Sequence, residues 1–164
     1  MIKAAGTFQG VLDAIESRYA AMRQVGAQNF EDFHRVQRKD HMVRGLVVID
    51  ELADLLSISD KNKTRNLLQR IVQISRAAGV HVIAATQRPS VDVVTGVIKA
   101  NFPARMTFKL ASRTDSQVIL GQRGGESLVG HGDALFLPSG TKALRVHSPY
   151  ISSAMVKALV RTIA

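Results

Sequence analysis

Two stretches decide how this chain folds: Leu46-Val47-Val48-Ile49-Asp50-Glu51 and, one helix later, His81-Val82-Ile83-Ala84-Ala85-Thr86-Gln87-Arg88-Pro89-Ser90. The first is a continuous apolar run closed by two carboxylates, which is how a strand buried on both faces of a sheet reads. The second is another apolar run, over His81 to Thr86, closed by Thr86 and Gln87. Between them Lys61 to Ala78 has the period of a helix, with a stripe of Leu67, Leu68, Ile71, Val72, Ile74 and Ser75 and with Gly79 as its stop. Strand, helix, strand argues for a parallel pair joined by a crossover, hence an α/β fold with a mostly parallel sheet flanked by helices. Ligands of such sheets bind beyond the carboxyl ends of the strands. Asp50 and Glu51 should therefore lie beside Thr86 and Gln87.

Working outward, Thr7 to Gln24 reads as an amphipathic helix through Phe8, Val11, Leu12, Ile15, Tyr19 and Met22, with Thr7 as N-cap and Gly26 as stop. Asn29 can cap a short helix to Arg35, and Val36 to Arg44 reads as a basic loop. Downstream, Ser90 is expected to cap a helix over Val91 to Ala100, followed by a strand over Arg105 to Ala111 and a helix over Asp115 to Leu120. Asp133 to Leu137 and Ala143 to His147 read as antiparallel strands around Ser139-Gly140, with a closing helix from Ser152 to Ile163. The expected organisation is a helical lead-in over 1–44, a core over 45–150 and a C-terminal helix over 151–164. An α/β domain whose first convincing strand comes only at Leu46 reads as a fold entered partway, incomplete at its N-terminus.

The 164 residues amount to one domain, and 46% hydrophobic with 21% charged residues is a globular composition. Zero cysteines exclude a disulfide framework, a Cys-based zinc site and a thiol nucleophile. No apolar run is long enough to span a membrane, and Met1 to Gly10 lacks a signal-peptide core. The net charge is +9, and residues 100–164 hold eight basic residues against Asp115, Glu126 and Asp133. Such a balance suits a polyanionic partner. The five histidines show no ligand spacing, and with no Trp and few aromatics single-strand base stacking is a poor reading.

The run ending in Asp50-Glu51 fits the Walker B pattern, in which the first carboxylate holds Mg²⁺ through water and the second orients the attacking water. The plain alternative is a strand ending in a solvated acidic turn. Gln87, at the neighbouring tip, can contact a γ-phosphate or that water. Its alternative is a polar strand end leading into the next helix.

With these residues in place, the chain resembles the motor domain of the FtsK/SpoIIIE family of double-stranded DNA translocases. The resemblance rests on Val48-Ile49-Asp50-Glu51-Leu52-Ala53-Asp54-Leu55, on Arg76-Ala77-Ala78-Gly79-Val80-His81, and on Ala85-Thr86-Gln87-Arg88-Pro89-Ser90 with its continuation to Lys99-Ala100-Asn101. It continues through Ser112-Arg113-Thr114-Asp115-Ser116 and Gly132-Asp133 to Arg145-Val146-His147, covering about residues 10 to 150. It implies a RecA-like P-loop NTPase core, ATP and Mg²⁺ as cofactors, a ring of six around duplex DNA, and a cytoplasmic motor. For the residues it implies Asp50 on Mg²⁺, Glu51 on water, Gln87 as γ-phosphate sensor and Arg76 as an arginine finger acting on a neighbouring subunit. Arg88, Lys99, Arg113 and Gln117 would contact DNA, Gln117 standing where the family usually has a basic residue. Read without the resemblance, Arg76 equally complements a helix C-terminal dipole, and Arg88 and Arg113 are helix-flanking surface charges.

The chain departs from the family in one respect. The Walker A loop G-x-x-x-x-G-K-[ST], whose amides and Lys cradle phosphates, does not occur in it. Gly125-Glu126-Ser127-Leu128-Val129-Gly130-His131-Gly132 has the glycine spacing but His131 and Gly132 in place of Lys and Ser/Thr. The expectation is weak or no nucleotide binding by this chain alone. Two readings stay open: the C-terminal portion of an ATP-driven translocase motor acting in chromosome segregation or DNA transfer, or a non-hydrolysing remnant that binds DNA or motor subunits. A related ring ATPase of conjugative transfer is a third, disfavoured by the Arg88-Pro89-Ser90 segment.

Overall fold

A computed structural model describes residues 4–37, 42–57 and 61–163. They fall into two compact units divided between Phe102 and Pro103.

The first unit opens with α1 (Ala4–Gln24), whose Phe8, Leu12, Ile15 and Met22 are buried as the periodicity predicts. The helix begins before Thr7, so Thr7 lies inside it rather than capping it. Asn29 does cap α2 (Phe30–Val36), accepting from Asp32 N at 3.0 Å, and Phe30 and Phe33 are buried. The basic loop expected over Val36 to Arg44 falls partly outside the described residues. Then come β1 (Gly45–Ile49), α3 (Leu52–Ser57), α4 (Lys61–Ile74), β2 (Val80–Ala84) and α5 (Gly96–Asn101). α3 has no counterpart among the elements expected from the sequence, since Leu52 to Ser57 is too short to establish a helical period. α4 stops four residues short of Ala78, in a turn that reaches Gly79 at φ +70°. α1 satisfies carbonyls at this end, Tyr19 Oη donating to Ile74 O, the last of α4, at 2.9 Å and Arg18 donating to Ala78 O in the turn that follows at 3.3 Å. Ser90 turns back on itself, its carbonyl accepting from Val93 and Val94, and Thr95 instead caps α5.

β1 and β2 pair in parallel, Gly45 with Val80 through Ile49 with Ala84. Val47, Ile49, Val80, Val82 and Ala84 face a cluster built from α1, α3 and α4 around Leu68 and Ile71. The opposite face corrects the expectation of two-sided burial. Leu46, Val48 and Ile83 are 62%, 63% and 54% exposed, because no described element of this unit lies over them.

The second unit holds β3 (Arg105–Thr107), α6 (Arg113–Leu120), a 3₁₀ turn over Gly125–Ser127, β4 (Asp133–Leu137), β5 (Leu144–His147) and α7 (Ser153–Ile163). β3 is shorter than expected and pairs antiparallel with β4, which pairs antiparallel with β5 as the hairpin signal predicts. Ser112 caps α6, and Ser116, fully buried, donates to Gln122 O and accepts from Gly125 N. α7 presents Met155, Val156, Leu159, Val160 and Ile163 without burying any of them.

Candidate functional site

The two carboxylates leave β1 where its pairing with β2 continues past the last ladder residues. Ala85 N donates to Ile49 O at 2.8 Å and Leu52 N donates to Ala85 O at 2.8 Å, so the strand tips stay zipped together. That brings Thr86 and Gln87 against Glu51, as the strand order predicts.

Glu51 is half-buried and accepts three hydrogen bonds. Thr86 Oγ and Ala53 N, the latter at 3.1 Å, donate to its Oε1, and Gln87 N donates to its Oε2 at 2.8 Å. These donors, the Thr86 hydroxyl foremost and then the Gln87 amide, hold the carboxyl below the usual glutamate range, and the Arg88 charge adds to them. An ionised carboxylate has about four lone-pair sites, so one site, on Oε2, is left. A group so stabilised as an anion is suited to orienting a water molecule and poorly suited to taking its proton. Asp50 differs: it is exposed and makes no hydrogen bond or ion pair among the described residues. A free hard-oxygen donor at a strand tip fits a water-bridged Mg²⁺.

The Gln87 and Arg88 side chains are exposed beside this cluster, and Arg88 N donates to Thr86 Oγ at 3.1 Å. Arg76 stands at the opposite end of the strand pair, in the turn that leads into Val80, and is exposed. It cannot reach its own chain's carboxylates. Lys99 is half-buried on the last turn of α5. In the second unit Arg113 is exposed at the start of α6, with Glu126 at 3.8 Å. Gln117 spends its side-chain amide on Gly121 O at 2.6 Å, closing the C-terminus of α6.

Thr86 reads in the sequence as no more than one polar residue of a strand end. Its engagement with Glu51 depends on the register of β1 on β2, and a pairing between segments so far apart leaves no local signature. The strand order places Thr86 near Glu51, but that its hydroxyl bonds the carboxylate is not legible in the sequence.

The FtsK/SpoIIIE family model matches residues 1–91. A DNA translocase FtsK of Chlorobaculum tepidum is 42% identical over 162 residues, covering 98% of this chain and 20% of the relative. One from Rickettsia typhi is 53% identical over 111 residues, 68% of this chain and 15% of the relative. The chain thus spans about a fifth or less of these relatives' length. Among solved structures, the pCW3 conjugation coupling protein TcpA, in its monomer form with ATPγS, superposes with a TM-score of 0.83 at 24% identity, over 97% of this chain and 48% of that one. The cytoplasmic domain of the Thermomonospora curvata Type VII secretion ATPase EccC gives 0.82 at 20% identity, over 98% and 20%. The chain shares its fold with these two proteins, and that fold is of the α/β class that the strand and helix order predicts.

Proposed function

The chain belongs to the FtsK/SpoIIIE family, and from that premise we propose that it is the Walker B and sensor portion of an ATP-driven motor that moves along double-stranded DNA. The observation that carries this reading is the junction of the two strand tips, where a free Asp50 stands beside a Glu51 bonded to Thr86 and Gln87.

In this reading Asp50 would hold Mg²⁺, which when bound would supply charge stabilisation to the phosphates of ATP. Glu51, kept ionised by its three donors, is the group that orients the attacking water. Gln87, whose main chain is fixed on Glu51, places its amide where it registers the γ-phosphate. Arg76, remote from these carboxylates, acts on the nucleotide of a neighbouring copy in a ring of six. Arg88 and Lys99 in the first unit, and Arg113 with Gln117 in the second, contact the phosphate backbone, which suits sequence-independent tracking. Residues 45–150 form the motor core portion, with 1–44 leading in and 151–164 as a terminal helix. No helix among the described residues is long and apolar enough to cross a membrane.

The test is DNA-stimulated ATP hydrolysis by this chain with a G-x-x-x-x-G-K-[ST] segment restored upstream, with and without Glu51→Gln. Loss of a water-orienting group lowers the rate by about 10²-fold or more. Unchanged hydrolysis in the variant would remove Glu51 from the mechanism. The 164 residues contain no phosphate-cradling glycine loop. Nucleotide binding to the chain as it stands, followed by calorimetry, is expected to be weak or absent.

A further inference from the structure

None of these roles uses Thr86. Its hydroxyl has one proton and two acceptor sites. The proton goes to Glu51 Oε1, and the oxygen accepts Arg88 N at 3.1 Å. One oxygen atom therefore lies between the carboxylate that orients water and the main chain of a residue that contacts DNA. With Ala53 N and Gln87 N also on Glu51, three of the carboxylate's four lone-pair sites are filled from the protein. In this arrangement the carboxylate is turned onto the β2 tip and has little freedom to serve a water molecule.

We propose that Thr86 is a positioning residue that restrains Glu51 until duplex DNA draws on the Arg88 turn, coupling DNA contact to hydrolysis. The proposal rests on Glu51 being the water-orienting group. A phosphate pulling on the Arg88 guanidinium displaces Arg88 N, and the Thr86 hydroxyl, held from both sides, moves with it. Oε1 then loses a charge-assisted donor, and the carboxylate swings free to accept from water. Without DNA the restraint keeps hydrolysis slow. The hydroxyl is the only part of Thr86 this requires, so serine should substitute for it and valine, of nearly the same shape, should not.

Two measurements test the coupling. In the motor with its P-loop segment restored, Thr86→Val should raise the DNA-independent rate and bring the ratio of rates with and without duplex close to one, while Thr86→Ser keeps most of the wild-type ratio. Independently of activity, hydrogen exchange of the Gln87 amide in the 164-residue chain should quicken about tenfold in Thr86→Val, the effect of loosening a hydrogen bond to a charged acceptor. It should quicken likewise in the unaltered chain when a short duplex oligonucleotide is added. A Thr86→Val motor that retains full DNA stimulation, or a Gln87 amide indifferent to saturating duplex, overturns the coupling. If Glu51→Gln leaves hydrolysis intact, the role of Glu51 fails instead, so the two failures are told apart.

Discussion

Gly79 shows how little room the first unit leaves at the point where α4 hands over to β2. It sits at φ +70°, in the left-handed region, and a Cβ there would overlap Cγ and Cδ2 of the Phe30 ring. Phe30 is itself pinned, its N–H donating to Ala77 O at 2.8 Å and its ring carrying His34 on one edge and the Arg44 guanidinium 4.8 Å away. The ring has no easy retreat. Gly79→Ala should combine the cost of a left-handed alanine with that of overpacking, about 2 to 4 kcal/mol together, read as a lower urea midpoint. The sequence marks Gly79 as a helix stop. That a ring from another helix presses on it is not legible, because the contact depends on how α2 docks.

At the level of elements, the hairpin of the second unit is held by an ion pair whose acid is buried. Asp133 is 4% exposed and receives Arg145 through two hydrogen bonds, of 2.8 and 2.7 Å, from the partner strand, with Val129 N adding a third at 2.8 Å. The Arg145 guanidinium foremost, and then the Val129 amide, lower the Asp133 carboxyl from its ordinary 3.8 to about 2. Since the folded value lies below the unfolded one, the contribution of this group is complete above about pH 4 and is lost as the pH falls towards 2. Thermal melts across that range should show the wild type losing stability relative to Asp133→Asn, with the two curves converging at the acid end. Both strands of this hairpin are legible as short runs on either side of Ser139-Gly140. The bidentate pair is not, because only the register of β4 on β5 brings Arg145 to Asp133. Elements also account for the misplaced cap: Ser90 and Thr95 are both acceptable N-caps, and only the turn made by Val93 and Val94 on Ser90 O decides for Thr95.

For the whole molecule, the +9 charge makes an ionic-strength prediction. If Arg88, Lys99 and Arg113 contact duplex phosphates as proposed, they should give a slope of about −3 for log K against log salt per chain. Titrations at several salt concentrations check it, and Arg88→Ala should reduce the slope by about one. The α/β class and the juxtaposed tips are legible because two continuous apolar runs with polar ends, separated by one helix, suit little besides neighbouring parallel strands. The exposure of Leu46, Val48 and Ile83 is not, because a run of this kind states that both faces of a strand are apolar and is silent on what lies over each. The parallel pair and the β4–β5 hairpin also differ in how far apart in the chain their partners lie. Gly45 meets Val80 only across all of α3 and α4, whereas Asp133 meets His147 around one short turn. Closure over the longer span costs more entropy before any pairing rewards it, so the parallel pair that carries Asp50 and Glu51 should form after the β4–β5 hairpin. The strand tips that carry Asp50 and Glu51 should therefore become ordered later in folding than the β4–β5 turn, which forms its first contacts almost within a single loop.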